Sequence, residues 1–258
     1  MPSRARRRTL FRMNGVPTEF EDLLTARGKK VLTGAHPLCG AFLEPGRRFV
    51  VARGLIDVAK AARLRDALDT KLRPHLEEMA RPIPPQTLTE MTENYGEWLP
   101  KTGRVRTAYL DSARDPAYRA AREMGLVDLL RSQSLRAFVE AVGGRALRKR
   151  NGMQVLCYGP GDYAGPHNDH HPEDAEAAGG YTDFHLTLCT AAVRRQLLVY
   201  ARRGHFSQVV DVAGLGALTV YRLPFWHYTT PLEARRGLAE GARRWVLLGT
   251  FVDAAVRA

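Results

Sequence analysis

Apolar residues recur at helical spacing only in the first 150 residues of the chain. Between Ile56 and Ala80 they fall at Val58, Ala61, Leu64, Leu68, Leu72 and Leu76, which predicts one amphipathic helix, or two broken at Pro74. Two more helices are predicted near 115–124 and 126–142, the second stopped by Gly143-Gly144. Upstream, Arg48-Phe-Val-Val-Ala predicts a core strand. Residues 1–46 hold no sustained period and carry Pro17, Pro37 and Pro45, the pattern of a loosely structured lead-in. Arg81-Pro-Ile-Pro-Pro predicts a linker, and 86–113, around Trp98 and Tyr109, is too irregular to assign. Beyond residue 150 the rhythm changes to short β-rich runs at 152–158, 181–190, 196–201, 207–212, 216–222 and 243–252. Gly, Pro and charged turns separate them, and no repeat is evident. Strands at this spacing predict a sandwich or barrel-like double sheet, with the earlier helices covering one outer face.

Composition narrows the class. No apolar run approaches the length of a transmembrane helix, so no membrane partner is expected. Arg4, Arg6, Arg7, Arg8 and Arg12 are followed by no apolar stretch and cleavage site, which argues against a secretory signal. The three cysteines, Cys39, Cys157 and Cys189, are too scattered for a disulfide framework or a Cys zinc site. A reducing, cytoplasmic setting is therefore expected. The net charge of +12 raises nucleic acid as a partner. The arginines are spread along the whole chain, however, which fits a compositional bias better, and Arg4–Arg8 reads as a disordered arm.

The chemistry concentrates in Gln154-Val-Leu-Cys-Tyr158-Gly-Pro-Gly-Asp-Tyr163-Ala-Gly-Pro-His167-Asn-Asp169. A strand breaks at Gly159-Pro160-Gly161 and delivers His167 and Asp169 two residues apart. In extended backbone such a pair shares one face and can reach one metal ion. A second His would complete the facial triad that holds non-haem Fe(II) with positions left open. His36 and His75 read as structural, and His205 sits in a charged turn. Only one of His170 and His171 could share that face, and His185 either lines the barrel or is a satisfied core residue. His227, after the run Gly214–Tyr221 and between Trp226 and Tyr228, is a further candidate, although an isolated His in an aromatic setting more often packs than ligates. Arg243 and Arg244 then open a strand that is otherwise apolar to Phe251. A guanidinium buried there needs an anion, and a carboxylate matches its bidentate fork.

These residues resemble the Fe(II)- and 2-oxoglutarate-dependent oxygenases, most of all the prolyl-4-hydroxylase-like branch. That branch runs Gln-Val-x-x-Tyr-x-x-Gly-x-Tyr-x-x-His-x-Asp, matched here by Gln154, Val155, Tyr158, Gly161, Tyr163, His167 and Asp169, although this chain has one more residue between Tyr163 and the His. Its later Gly-x-Leu-x-x-Phe, distal His, Pro and basic residue with an aromatic follower correspond to Gly216, Leu218, Tyr221, His227, Pro231 and Arg244-Trp245. The likeness covers about the last hundred residues, and Phe49–Leu68 is similar to the strand and helix that open the family's catalytic domain. Two further features depart from the pattern. The family's Gly-Gly-Glu segment is replaced by Arg194-Arg-Gln-Leu, and the His-to-basic interval is longer, so Arg243 and Arg244 both stand as candidates, with Arg244 favoured by its aromatic follower.

The resemblance implies an α+β fold with a mainly β core, a double-stranded β-helix (jelly-roll, cupin-like) with N-terminal helices packed on one face. It implies a lead-in at 1–46 and an oxygenase domain at 47–258, with a helical support region at 47–149 and the β-helix at 150–253. It further implies Fe(II) on His167, Asp169 and His227, and 2-oxoglutarate anchored by Arg244 or Arg243. Tyr158 or Tyr163 would add a hydroxyl, and Gln154 would support the ligands from behind. Dioxygen would be the oxidant, with ascorbate a candidate reductant. The expected reaction is hydroxylation of an unactivated C–H in an amino acid, peptidyl residue or small metabolite. Two other classes compete. An AlkB-like nucleic-acid demethylase needs a second Arg six residues beyond the first, where Gly249 and Thr250 stand, so nucleic acid is not the expected partner. A non-catalytic cupin-like metal binder favours His-x-His with a Glu, which does not fit.

Overall fold

The computed structural model describes residues 16–81, 102–169 and 180–254. The arginine arm, the linker after Arg81, Trp98, His170, His171 and the acidic residues at 173–176 lie outside the described residues. The elements run α1 (Ala26–Leu32), β1 (Phe49–Ala52), α2 (Val58–Lys71), β2 (Glu77–Arg81), β3 (Gly103–Tyr109), α3 (Pro116–Glu123), α4 (Leu126–Leu130) and α5 (Gln133–Gly143). Then follow β4 (Leu147–Tyr158), β5 (Tyr163–His167), β6 (Tyr181–Cys189), β7 (Val193–Arg195), β8 (Leu197–Arg202) and β9 (His205–Asp211). The last four are β10 (Ala217–Leu223), β11 (His227–Thr229), β12 (Glu233–Ala234) and β13 (Arg244–Asp253).

One antiparallel path, β1-β10-β6-β13-β4-β3-β5-β11-β8-β9, carries the architecture, with β2 added to β3. One edge of β3 takes β2. The other is shared, β4 along 106–109 and β5 at 103–104, so β3 spans the corner between two sheets. The larger sheet is β1-β10-β6-β13-β4 and the smaller β5-β11-β8-β9. Phe49 of β1 meets Tyr200 of β8 at 4.8 Å between ring centroids, joining the two sheets across the lumen. The expected fold, a double-stranded β-helix with helices against one face, is borne out.

Strand alternation assigns the two sides of the larger sheet. Val155, Phe184, Leu186, Trp245 and Leu247 point outward and join Leu64, Leu68 and Phe138 of the helices in the main apolar core. Their neighbours Tyr158, His185, Thr187, Thr219 and Arg244 face the lumen, as the register of β4, β13, β6 and β10 requires. The outward side thus packs into the apolar core, while the inward side gathers polar groups. Side chains of Asp57, Asp115 and Ser132 accept from backbone N–H groups in the first turns of α2, α3 and α5, and Gly144 closes α5 in the left-handed conformation.

Three expectations need correction. The periodic stretch 56–80 is helical only to Lys71. Pro74 sits in a short turn, and Glu77–Arg81 becomes β2, paired to β3. The stretch 126–142 is two helices, because Ser132 leaves the first and caps the second. Residues 16–46, expected to be loosely structured, pack firmly: Val16, Phe20, Leu23 and Val31 are buried, and Phe20 lies edge-on to Phe138 and Phe184. Their anchors are too widely spaced to make a period.

Candidate metal centre and anion pocket

β5 and β11 are neighbours, and their register sets His227 opposite His167. The two imidazoles lie with centroids 4.3 Å apart. β5 ends at His167, and two residues on Asp169 takes a left-handed backbone with φ 52°. Asp tolerates that conformation better than most residues with a side chain. Asp169 therefore reaches His167 through a turn, where strand alternation was expected to place it. Its carbonyl accepts from the Tyr181 hydroxyl, which ties the turn to β6.

Asp169 Oδ2 stands 3.4 Å from His167 Nε2 and 3.6 Å from His227 Nε2. Bonds of about 2.1 Å at right angles would place donor atoms ~3 Å apart, so a small contraction closes these three on one ion. Each ring's other nitrogen is engaged by a carbonyl two residues upstream: His167 Nδ1 with Gly165 at 2.6 Å, His227 Nδ1 with Phe225 at 2.9 Å. A carbonyl only accepts, so Nδ1 carries the hydrogen and Nε2 offers its lone pair inward. Burial, reinforced by His167 alongside, pushes His227 down to about 3, so it is neutral at neutral pH. Gly165 lies so close to Thr102 that a methyl group there would run into Thr102 Oγ1, and this tight approach helps hold His167 in place. Among the described residues, no fourth His, Cys, Asp or Glu joins these three. Two imidazoles and one carboxylate on one side of a point, with no further protein donor, fit a ferrous ion with open positions.

Arg244 and Arg243 point opposite ways. Arg243 lies against Asp69 of α2 at 2.9 Å, and the same carboxylate oxygen accepts from Trp245 Nε1. Arg244 faces the lumen at 2 % exposure. Its Nη1 donates to Gln196 Oε1 at 2.9 Å and its Nη2 to Thr187 Oγ1 at 3.3 Å, while Nε has no partner among the described residues. The Tyr158 ring lies beneath, 5.3 Å from the guanidinium carbon. Both hydrogen-bond partners are neutral, and no carboxylate pairs with Arg244 among the described residues. A buried, unneutralised guanidinium with a spare donor is a fit for a carboxylate.

The other expected contributors divide. Tyr158 is in the Arg244 pocket. Tyr163 stands at the far end of β5, in register with Arg104. Gln154 donates to Thr107 Oγ1 at 2.9 Å. His185 faces the lumen, its ring 4.5 Å from Tyr221, and Tyr221 in turn lies 5.6 Å from His227. Asp183 and Gln196 went unread. Asp183 had a signal, a charged residue alternating with His185 in an otherwise apolar run. Gln196 had none beyond standing where the family's Gly-Gly-Glu is missing.

No family model matches the sequence, and no curated protein does. Solved structures do. An oxidoreductase of the 2OG-Fe(II) oxygenase family from Burkholderia pseudomallei superposes with TM-score 0.53 at 15% identity, over 89% of this chain and 93% of that one. The non-haem alpha-ketoglutarate-dependent epimerase SnoN from nogalamycin biosynthesis gives TM-score 0.53 at 15% identity, over 89% of this chain and 82% of that one. The carbocyclase SnoK of the same biosynthesis gives 0.50 at 13% identity, over 92% and 87%. The chain has the fold of the 2OG-Fe(II) oxygenases, and function must be argued from its site.

Proposed function

We propose that this chain is an Fe(II)- and 2-oxoglutarate-dependent dioxygenase that hydroxylates an unactivated C–H of an amino acid, a peptidyl residue or a small metabolite. The observation that carries this reading is one lumen holding both a three-donor candidate metal site and a buried cation that no carboxylate among the described residues neutralises. His167, Asp169 and His227 would hold the iron from one side. Arg244 would bind the distal carboxylate of 2-oxoglutarate, assisted by Thr187, with Tyr158 the proposed source of a further hydroxyl. The bound iron and its 2-oxo acid would supply oxidation by dioxygen, releasing succinate and CO2, with ascorbate as a supporting reductant.

The protein's own part is positional. The carbonyls of Gly165 and Phe225 fix the imidazole tautomers, and the Asp169 turn aims the carboxylate. The lumen walls exclude water from the cation, which strengthens its hold on an anion. Within the described residues no helix is long and apolar enough to cross a membrane. Cys39, Cys157 and Cys189 are free thiols, consistent with a cytoplasmic role. The test is anaerobic titration with Fe(II) and then 2-oxoglutarate, followed by succinate release across a panel of amino acids and peptides. A protein that binds iron but never 2-oxoglutarate would be a metal-binding scaffold, contrary to this reading.

A further inference from the structure

Gln196 lies between β7 and β8 and is wholly buried. Its Nε2 donates to the carbonyls of Asp162 at 3.1 Å and Thr230 at 3.0 Å. Both partners can only accept, so the amide has one orientation, with Oε1 facing Arg244 Nη1. Asp162 immediately precedes β5, which carries His167, and Thr230 immediately follows β11, which carries His227. One side chain thus joins the guanidinium to both metal-bearing strands. It does so with a neutral oxygen, so the cation is oriented without being neutralised.

We propose that Gln196 is a positioning residue that fixes the span between Arg244 and the metal triad, so that the lumen selects a five-carbon 2-oxo diacid over longer homologues. This rests on the reading of Arg244 as the carboxylate anchor. A residue of similar size bearing a carboxylate would neutralise Arg244 from within. One bearing no polar group would leave the charge and release the span.

The test is calorimetric titration of the Mn(II)-loaded protein, which requires no turnover, with 2-oxoglutarate, 2-oxoadipate and the monoacid 2-oxobutyrate. In Gln196→Glu the preference for 2-oxoglutarate over 2-oxobutyrate should fall by about tenfold or more. In Gln196→Met that preference should persist, but discrimination between 2-oxoglutarate and 2-oxoadipate should shrink by about threefold or more. Mn(II) affinity should change less than about twofold in both, which also shows the variants folded. General disruption would weaken all three acids alike. A wild-type protein indifferent to the distal carboxylate would overturn the Arg244 reading and this inference with it. A wild-type preference left intact in Gln196→Glu, or length discrimination left intact in Gln196→Met, would overturn the inference alone.

Discussion

Replacing Arg244 by Met separates the two sides of a buried cation, its cost to the empty fold and its value to the ligand. In the empty protein the guanidinium has neutral partners in Gln196 and Thr187 and one donor atom unsatisfied among the described residues. Desolvating an ion costs several kcal/mol, whereas losing two neutral acceptors' partners costs about 1–3 kcal/mol each. The terms nearly cancel, so the ligand-free melting midpoint of Arg244→Met should stay within about 3 °C of wild type. Binding behaves differently. Two charge-assisted hydrogen bonds to a carboxylate at about 1.5–3 kcal/mol each amount to ~3–6 kcal/mol, or a loss of about 10²–10⁴ in affinity. At a ligand concentration one hundred times the wild-type Kd, stabilisation is about 2.7 kcal/mol, an upward shift of ~5–11 °C for a chain this size. The variant, at or below its own Kd, should move by no more than about 2 °C. Thermal unfolding with Mn(II), with and without 2-oxoglutarate, reads both numbers. Arg243→Ala is the control: it loses the outward pair with Asp69 and some stability but should keep the full ligand shift. If Arg244→Met retains more than half of that shift, or Arg243→Ala loses it, the anchor has been misassigned.

Asp169→Gly preserves the left-handed turn while removing the carboxylate, so Mn(II) affinity should drop by about a hundredfold with the β-sheet circular dichroism unchanged; undiminished metal affinity would discount this ligand. In the metal-free protein His227 titrates near 3 instead of 6.5, so the unfolded chain takes up its proton first. Stability is therefore fully present above pH 6.5 and lost by up to a few kcal/mol as pH falls toward 3, measured as the urea midpoint; His227→Ala should flatten that slope, and a midpoint rising on acidification would contradict it. Burial pushes the Cys157 thiol up to about 12 and raises Cys189 as well, whereas Cys39 is half-exposed. Iodoacetamide at pH 8 should therefore modify Cys39 alone in the native protein, as mass spectrometry would show, and alkylation of Cys157 would mean that β4 opens readily.

Most of the site could be read in the sequence because its residues sit where local pattern is strong. The β-rich runs from 152 to 252 are bounded by Gly and Pro, and their alternation was enough to single out an Arg heading an apolar strand. The rest depends on pairing between distant segments. β3 shows the difficulty: Val105 points inward and Arg104 and Arg106 outward, a period of two in only a few residues, beside an irregular stretch. β11 has three residues and β12 two, too short for any periodicity. His227 was identified by its neighbours, yet its position opposite His167 is a property of register. Gln196 was invisible for the same reason, since its partners lie 34 and 48 residues away.

The distribution of unsatisfied groups is what makes the lumen a candidate ligand site. Three buried side-chain atoms lack partners among the described residues: Asp183 Oδ1, His185 Nε2 and Arg244 Nε. Register puts all three on the inner side of β6 and β13, where Arg244 stands opposite Cys189, Leu248 opposite His185 and Thr250 opposite Asp183. The outward residues of those strands, Phe184, Leu186, Trp245 and Leu247, join the apolar core without such a deficit. An orphaned buried polar atom costs about 1–3 kcal/mol, and three on one wall would be a poor solution for a fold that merely had to be stable. Stability and unmet polarity are instead segregated to opposite faces of one sheet, so a ligand entering the lumen can satisfy groups that the core never has to.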